Sequence, residues 1–156
     1  LRELKRNNQL PTQLYVSVMA PNEELYNKIC RSSMKNAWRK LNESLDIMKE
    51  LRGKTRTIFR MNLIRDLNMN DSQIKEYAKL IGKAKPLFVE IKGYMSVGFA
   101  RHRLGYDRMP TDKEMKVFVD KLATATGLKI LDSHEFSRAW VLGKDKRKLK
   151  IKEEEI

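Results

Sequence analysis

The sequence is poor in the residues that build disulfide frameworks, metal centres and membrane spans. Its single cysteine, Cys30, excludes an internal disulfide and predicts a reducing, cytoplasmic location. No apolar run approaches the roughly 20 residues that a transmembrane helix needs, and the first residues do not have the pattern of a signal peptide. His102 and His134 have no neighbouring His or Cys at zinc-ligand spacing, and the P-loop and dinucleotide fingerprints are missing.

What the chain has in excess is positive charge. Its 156 residues include 33 Lys and Arg against 20 Asp and Glu, which gives a net charge of +13. A surface rich in both Lys and Glu, as in thermophiles, would explain the 34% charged residues but not this imbalance. A basic excess of this size favours a polyanionic partner, most often a nucleic acid.

Strand and helix patterns alternate along the chain. The alternation predicts an α/β fold with parallel strands and outer helices. An antiparallel sheet with one face in water is the alternative, but the connections are long enough for helical crossovers. The predicted strands are Leu14–Met19, Thr55–Ile64, Leu87–Ile91, Lys129–Leu131 and Ala139–Leu142. Residues 1–143 form the predicted domain, and residues 144–156 form a charged tail that we expect to be frayed.

The first three strands have one apolar and one polar face. Successive side chains of a strand point to opposite faces, so Phe59, Met61 and Leu63 oppose Arg60 and Asn62. In the same way Ser17, Glu90 and Lys92 lie on the faces opposite the valines and isoleucines of their strands. Such residues do not suit a filled barrel interior, but they suit an open or partial barrel that holds a polar ligand near the carboxyl ends of its strands.

The charged side chains of this polar face have two interpretations. Arg60 and Glu90 can neutralise each other across neighbouring strands, because burying either alone would be costly. Lys92 has no obvious partner, so it either contacts a substrate or extends into water at the end of its strand.

A long connection follows the third strand. Residues 92–108 interleave glycines, basic residues and the aromatic residues Tyr94, Phe99 and Tyr106. Basic groups can neutralise phosphates and aromatic rings can stack on splayed bases, so this segment is either an RNA-binding loop or a solvated basic loop. Cys30 is expected to be a half-buried structural thiol rather than a nucleophile.

Several segments resemble one enzyme family in order and spacing. They are LPTQLYVSVMAPN at 10–22, Arg56-Thr57 with RMNL at 60–63, EIKGYM at 90–95, GFARHRL at 98–104 and Met109-Pro110. Together they resemble the C-terminal half of the archaeal-type radical-SAM enzymes that make 4-demethylwyosine in tRNA.

The resemblance implies a partial (β/α) TIM-type barrel, a carbon–carbon lyase reaction, S-adenosylmethionine and a 4Fe-4S cluster as cofactors. It implies that two carbons of pyruvate join N1-methylguanosine of phenylalanine tRNA. By analogy Lys92 is the predicted catalytic residue. Ser17, Arg60 and Asn62 would bind S-adenosylmethionine, whereas Tyr94 would line the substrate side and Arg101 and Arg103 would contact tRNA.

The sequence departs from the family in one respect. The family's three-cysteine cluster motif and first three barrel strands are absent, and Cys30 alone cannot hold a cluster. We therefore expect an enzyme half that is inactive alone and depends on a missing N-terminal cluster-binding half. Two alternatives are a stand-alone RNA-binding module and a sugar-phosphate barrel fragment in which Lys92 forms a Schiff base.

Overall fold

A computed structural model describes residues 1–153 and contains one mixed five-stranded sheet. The strands are β1 Gln13–Val18, β2 Arg56–Leu63, β3 Phe88–Gly93, β4 Lys129–His134 and β5 Ala139–Gly143. Their order in the sheet is β1-β2-β3-β5-β4. The helices are α1 Arg2–Arg6, α2 Glu23–Cys30, α3 Ala37–Glu50, α4 Asp71–Ala84, α5 Ala100–Leu104 and α6 Asp112–Thr126.

The strand directions agree with the sequence prediction except for β5, which runs against the other four strands. β1, β2 and β3 are parallel, with helical connections between them. β5 runs antiparallel to both β3 and β4, so the prediction of parallel strands is wrong for this part of the sheet. The physical reason is the short connection of residues 135–138, because a parallel crossover needs a dozen or more residues.

Helices cover one face of the sheet. The main core joins the apolar strand face, including Phe59, Met61 and Ile91, to α3, α4 and α6. Leu45, Tyr77 and other residues at helical spacing complete it. Asn70 caps α4 in a capping box with Gln73.

A buried asparagine ties the carboxyl ends of β1 and β2 together. Asn68 is fully buried, and its Oδ1 accepts the Ile64 amide at 2.6 Å. Its Nδ2 donates to the carbonyls of Met19 and Asn62, both at 2.8 Å. These bonds satisfy backbone groups that have left the strand ladder, and they fix the edge where ligands of α/β proteins bind.

A buried arginine holds the opposite end of the sheet. Arg56 is 5% exposed and donates to the carbonyls of Lys148 and Leu149 at 2.5 and 3.1 Å. Leu149 also packs against the small cluster of Ile58, Phe88 and Leu131. The charged segment from Lys144 is thus anchored over residues 145–149 rather than frayed there.

An ion pair fastens the long connection after β3 to the end of β2. Arg65 makes a two-pronged contact with Glu114, with Nε–Oε1 at 2.9 Å and Nη2–Oε2 at 2.6 Å. Arg65 also donates to the Asp107 carbonyl, and Glu114 accepts the Thr111 amide at the start of α6. Arg65, followed by the Thr111 hydrogen bonds, lowers the pKa of the Glu114 carboxyl to about 2.

We predict that Asn68→Ala lowers the free energy of unfolding by about 2–4 kcal/mol, because one buried and two partly buried hydrogen bonds to the backbone are lost. Asn27→Ala is the matched control, since Asn27 is exposed on α2 and should change stability by less than about 0.5 kcal/mol. Urea unfolding monitored by circular dichroism measures both. Equal, small changes in the two variants would refute the role given to Asn68.

We also predict that Glu114 contributes stability in a defined pH range. Its folded pKa lies below the ordinary value of 4.5, so the contribution is full above that pH and is lost as the pH falls toward about 2. Because the side chain is 41% exposed, we expect only roughly 1 kcal/mol. The difference in unfolding free energy between wild type and Glu114→Gln should shrink across this range. The measurement covers about pH 6 to about pH 2. If the difference in unfolding free energy stays constant over that range, Glu114 does not make this contribution.

Candidate functional site

The face of the sheet opposite the main core is open and polar toward the carboxyl ends of the parallel strands. Register aligns Ser17 with Arg60 and Arg60 with Glu90 in one row. Asn62 aligns with Lys92 in the next row. Paired residues of neighbouring strands point their side chains to the same face of the sheet. The structure therefore brings together four of the site residues predicted from sequence, namely Ser17, Arg60, Asn62 and Lys92.

Arg60 and Glu90 form the ion pair that the sequence suggested. Arg60 Nε lies 2.5 Å from Glu90 Oε2, and the guanidinium carbon stands 4.2 Å from the centre of the Tyr15 ring. The two side chains are 39% and 19% exposed, so the pair is shielded but accessible. It neutralises the middle of the open face and leaves the Nη nitrogens of Arg60 without a hydrogen bond to any residue from 1 to 153.

Three polar side chains beside this pair have no protein partner in the described part of the chain. The Lys92 ammonium makes no ion pair, and the side chains of Asn62 and Ser17 make no hydrogen bond there. Lys92 and Asn62 are half-buried, whereas Ser17 is exposed. An ammonium, an amide and a hydroxyl on one open surface form a donor set suited to a polar or anionic ligand.

The segment that leaves β3 buries two further hydroxyl groups. Tyr94 is 3% exposed and packs with Ala20, Ile29 and Ile64 in a second cluster. Its hydroxyl and that of Ser96, which is 5% exposed, have no hydrogen-bond partner among the described residues. Tyr94 thus lies behind the site surface rather than on it, and its predicted contact with substrate stays a prediction.

The connection after β3 contains a short helix that the sequence analysis did not predict. Arg101 and Arg103 lie on α5, between Gly98 and Gly105, both of which have positive φ. Arg103 donates to the Ile29 carbonyl at 2.7 Å and so binds the C-terminal end of α2. Arg101 is exposed, and its contact within residues 1–153 is to neighbouring His102.

Exposed aromatic residues surround this carboxyl end. Phe99 is 94% exposed and Tyr106 is 72% exposed, in the connection that follows β3. Phe136 is 92% exposed in the β4–β5 turn, and His134 lies directly opposite Ala139, the partner of Lys92. Sequence reasoning missed His134 and Phe136 as neighbours of the site, because only the insertion of β5 beside β3 brings them there.

A second concentration of positive charge lies at the opposite end of the sheet. A cavity of about 980 Å³ there is bordered by basic residues and one acidic residue, Asp145. The basic residues are Arg52, Lys54, Arg56, Arg147, Lys148, Lys150 and Lys152. Arg56 and Arg147 already bind carbonyl and carboxylate groups of the anchored segment, so part of this charge has a structural use.

The cysteine and the acidic residues do not form a metal centre in the part of the chain that is described. Residues 1–153 contain no group of three or more His, Cys, Asp and Glu side chains arranged to hold a metal ion. Cys30 is half-buried at the end of α2, and burial raises the pKa of its thiol despite nearby Arg103. None of the helices within 1–153 combines the length and apolar character required to cross a membrane.

Comparison with known proteins identifies relatives of this chain. Residues 83–144 match a family model described as wyosine base formation. The chain is 38% identical to a S-adenosyl-L-methionine-dependent tRNA 4-demethylwyosine synthase of Pyrococcus abyssi, over 93% of this chain and 42% of that protein. The synthase of Methanocaldococcus jannaschii is 34% identical, over 91% of this chain and 43% of the relative.

Solved structures agree with the sequence relatives. One, described as TYW1 with a lysine-pyruvate adduct bound, superposes with a TM-score of 0.73 and 31% identity, over 88% of this chain and 42% of that chain. An archaeal TYW1 crystal structure has a TM-score of 0.66 and 29% identity, over 86% of this chain and 40% of that chain. The chain spans less than half the length of the relatives it matches. In sequence and in fold, it resembles the C-terminal half of the tRNA 4-demethylwyosine synthases.

Proposed function

We propose that this chain is the substrate-facing part of a radical-SAM tRNA 4-demethylwyosine synthase. One observation carries the proposal: Lys92 and Asn62 stand side by side on the open face, with no partner in residues 1–153. They lie where strands of a (β/α) barrel present ligand-binding residues. The reaction is inferred from the relatives, which are described as S-adenosyl-L-methionine-dependent tRNA 4-demethylwyosine synthases.

We infer that the substrates are pyruvate and N1-methylguanosine in phenylalanine tRNA. The reaction is of the carbon–carbon lyase class and takes place in the cytoplasm. A relative described with a lysine-pyruvate adduct supports pyruvate as one substrate. When bound, the 4Fe-4S cluster supplies the electron that cleaves S-adenosylmethionine.

The described residues suit S-adenosylmethionine but not the cluster. Cys30 is the chain's one cysteine, and its half-buried thiol has a raised pKa, which disfavours the thiolate that a cluster needs. The cluster ligands therefore belong to an N-terminal half that completes the barrel, and this chain alone has no activity. Ser17 and Asn62 offer a hydroxyl and an amide to S-adenosylmethionine, and the Nη nitrogens of Arg60 suit its carboxylate.

Lys92 would act on the substrate side as the catalytic cation of this chain. Its ammonium can hold the pyruvate carboxylate against the methylated base, since Glu90 in the same strand is already occupied by Arg60. Tyr94 would line the substrate side from beneath the open face. Its buried hydroxyl has no hydrogen-bond partner within residues 1–153, so it can form a hydrogen bond when a ligand is present. Arg101 and Arg103 would neutralise phosphates of the anticodon stem-loop.

A second candidate function is a stand-alone RNA-binding module without catalysis. The net charge of +13 favours it. It predicts that this chain binds tRNA with a steep salt dependence and that a cluster-bearing half adds no S-adenosylmethionine binding. The enzyme proposal predicts instead that S-adenosylmethionine binds once the cluster-bearing half is present.

We predict that Lys92→Met in the full natural protein lowers the rate of 4-demethylwyosine formation about 10- to 100-fold, the effect of losing one charged contact. Lys92→Arg should retain part of the rate, and tRNA affinity should not change. Nucleoside mass spectrometry measures the product. Lys79→Met, an exposed lysine on α4, is the control and should keep the wild-type rate.

Two outcomes decide the role of Lys92. Wild-type turnover by Lys92→Met would remove it from the site. Trapping with cyanoborohydride and pyruvate, followed by peptide mapping, separates a charge contact from a covalent one. A pyruvate adduct on Lys92 would replace the proposed ionic role by a Schiff base.

We predict that Arg101→Gln weakens tRNA binding roughly 5-fold and reduces by about one the slope of log affinity against log salt, because one phosphate contact is lost. Arg101 suits this test because its side chain is exposed and does not support the fold. Lys79→Gln changes net charge equally, away from the open face, and should leave the slope unaltered. The same loss in both variants would mean that only total charge matters.

A further inference from the structure

The turn between β4 and β5 lies at the carboxyl end of the parallel strands. Ala139 pairs with Lys92, and the Gly93 amide donates to the Arg138 carbonyl at 2.9 Å. Residues 135–138 therefore sit beside the end of β3, adjacent to the proposed substrate site.

This turn is held firmly in place. The Arg138 amide donates to the Glu135 carbonyl at 2.8 Å, and the Ser137 amide donates to His134 Nδ1 at 3.2 Å. A Cβ at Gly93 would come within 3.2 Å of Arg138 Cβ, so the glycine permits the close approach of the turn to β3. Because His134 Nδ1 accepts a hydrogen bond, a neutral ring carries its proton on Nε2.

Phe136 stands at the tip of this fixed turn with 92% of its surface exposed. Its ring centre lies 6.2 Å from that of His134, at an angle of 58° between the planes. Single exposed apolar residues are ordinary on protein surfaces. Phe136 is distinguished by its position in the turn that leads into Ala139, the strand partner of Lys92, by its aromatic neighbour His134, and by the exposed Phe99 in the connection that leaves the same end of β3.

We propose that Phe136, supported by His134, is a stacking platform for an unpaired base of the anticodon loop beside the modified guanosine. The inference rests on the proposed function, since it assigns the RNA a contact on that same site. A splayed base is recognised by aromatic stacking, which tolerates any sequence, and the basic chain attracts the phosphates around it. The platform would hold the loop open while the target base enters the polar face.

The test uses the full natural protein and an anticodon stem-loop RNA with 2-aminopurine next to the target guanosine. Stacking on Phe136 should quench the fluorescence of this base on binding. Phe136→Ala should abolish the quenching and weaken affinity roughly 5- to 100-fold without changing the salt dependence. Phe136→Trp should restore both, and Val117→Ala, an apolar residue 55% exposed on α6, should behave as wild type.

The outcomes separate this inference from the proposed function. Wild-type protein that does not bind the RNA would overturn both. Wild-type binding with the same affinity and quenching in Phe136→Ala would overturn the platform and leave the proposed function standing. Loss of quenching in Phe136→Ala with recovery in Phe136→Trp would establish the platform.

Discussion

The sheet carries its main helical layer on one face only, and the polar groups of the open face owe their positions to that asymmetry. Strand side chains alternate with a period of two, so one face of β2 and β3 is committed to the core by Phe59, Met61 and Ile91. The other face is free to carry charge. Arg60 and Glu90 would be costly to bury singly, but on this face they neutralise each other and remain partly hydrated. Lys92 and Asn62 keep their capacity to bind a ligand because neither is used in this pairing.

Polar ties at the carboxyl end make the open face a defined surface. Asn68 joins the ends of β1 and β2, and Arg65 joins β2 to the start of α6 through Glu114. Gly93 allows the β4–β5 turn to approach β3. Asn68 binds three backbone groups, and Arg65 adds the Asp107 carbonyl to its ion pair with Glu114. The same residues therefore satisfy backbone groups and position the site.

Sequence reasoning succeeded where the signal is local. Apolar alternation in β2 predicted which residues face the core, and the facing positions of Arg60 and Glu90 suggested their ion pair. It failed where the outcome depends on which strands become neighbours. No local pattern states that β5 inserts between β3 and β4, and without that fact His134 and Phe136 read as ordinary turn residues. Likewise the burial of Tyr94 has no local signal, because it depends on contacts with Ala20 and Ile29, which lie far away in the sequence.

The two basic regions explain why net charge alone cannot locate the nucleic-acid interface. Both ends of the sheet carry cations, but at the amino end Arg56 is engaged with the carbonyls of Lys148 and Leu149. That end also lacks, among its cavity-lining residues, any exposed aromatic ring. The carboxyl end combines Arg101 with exposed aromatic rings and an adjacent polar face. Phosphates can bind at either end of the sheet, but only the carboxyl end has exposed aromatic rings on which a base can stack. An enzyme that modifies a base needs such a binding surface.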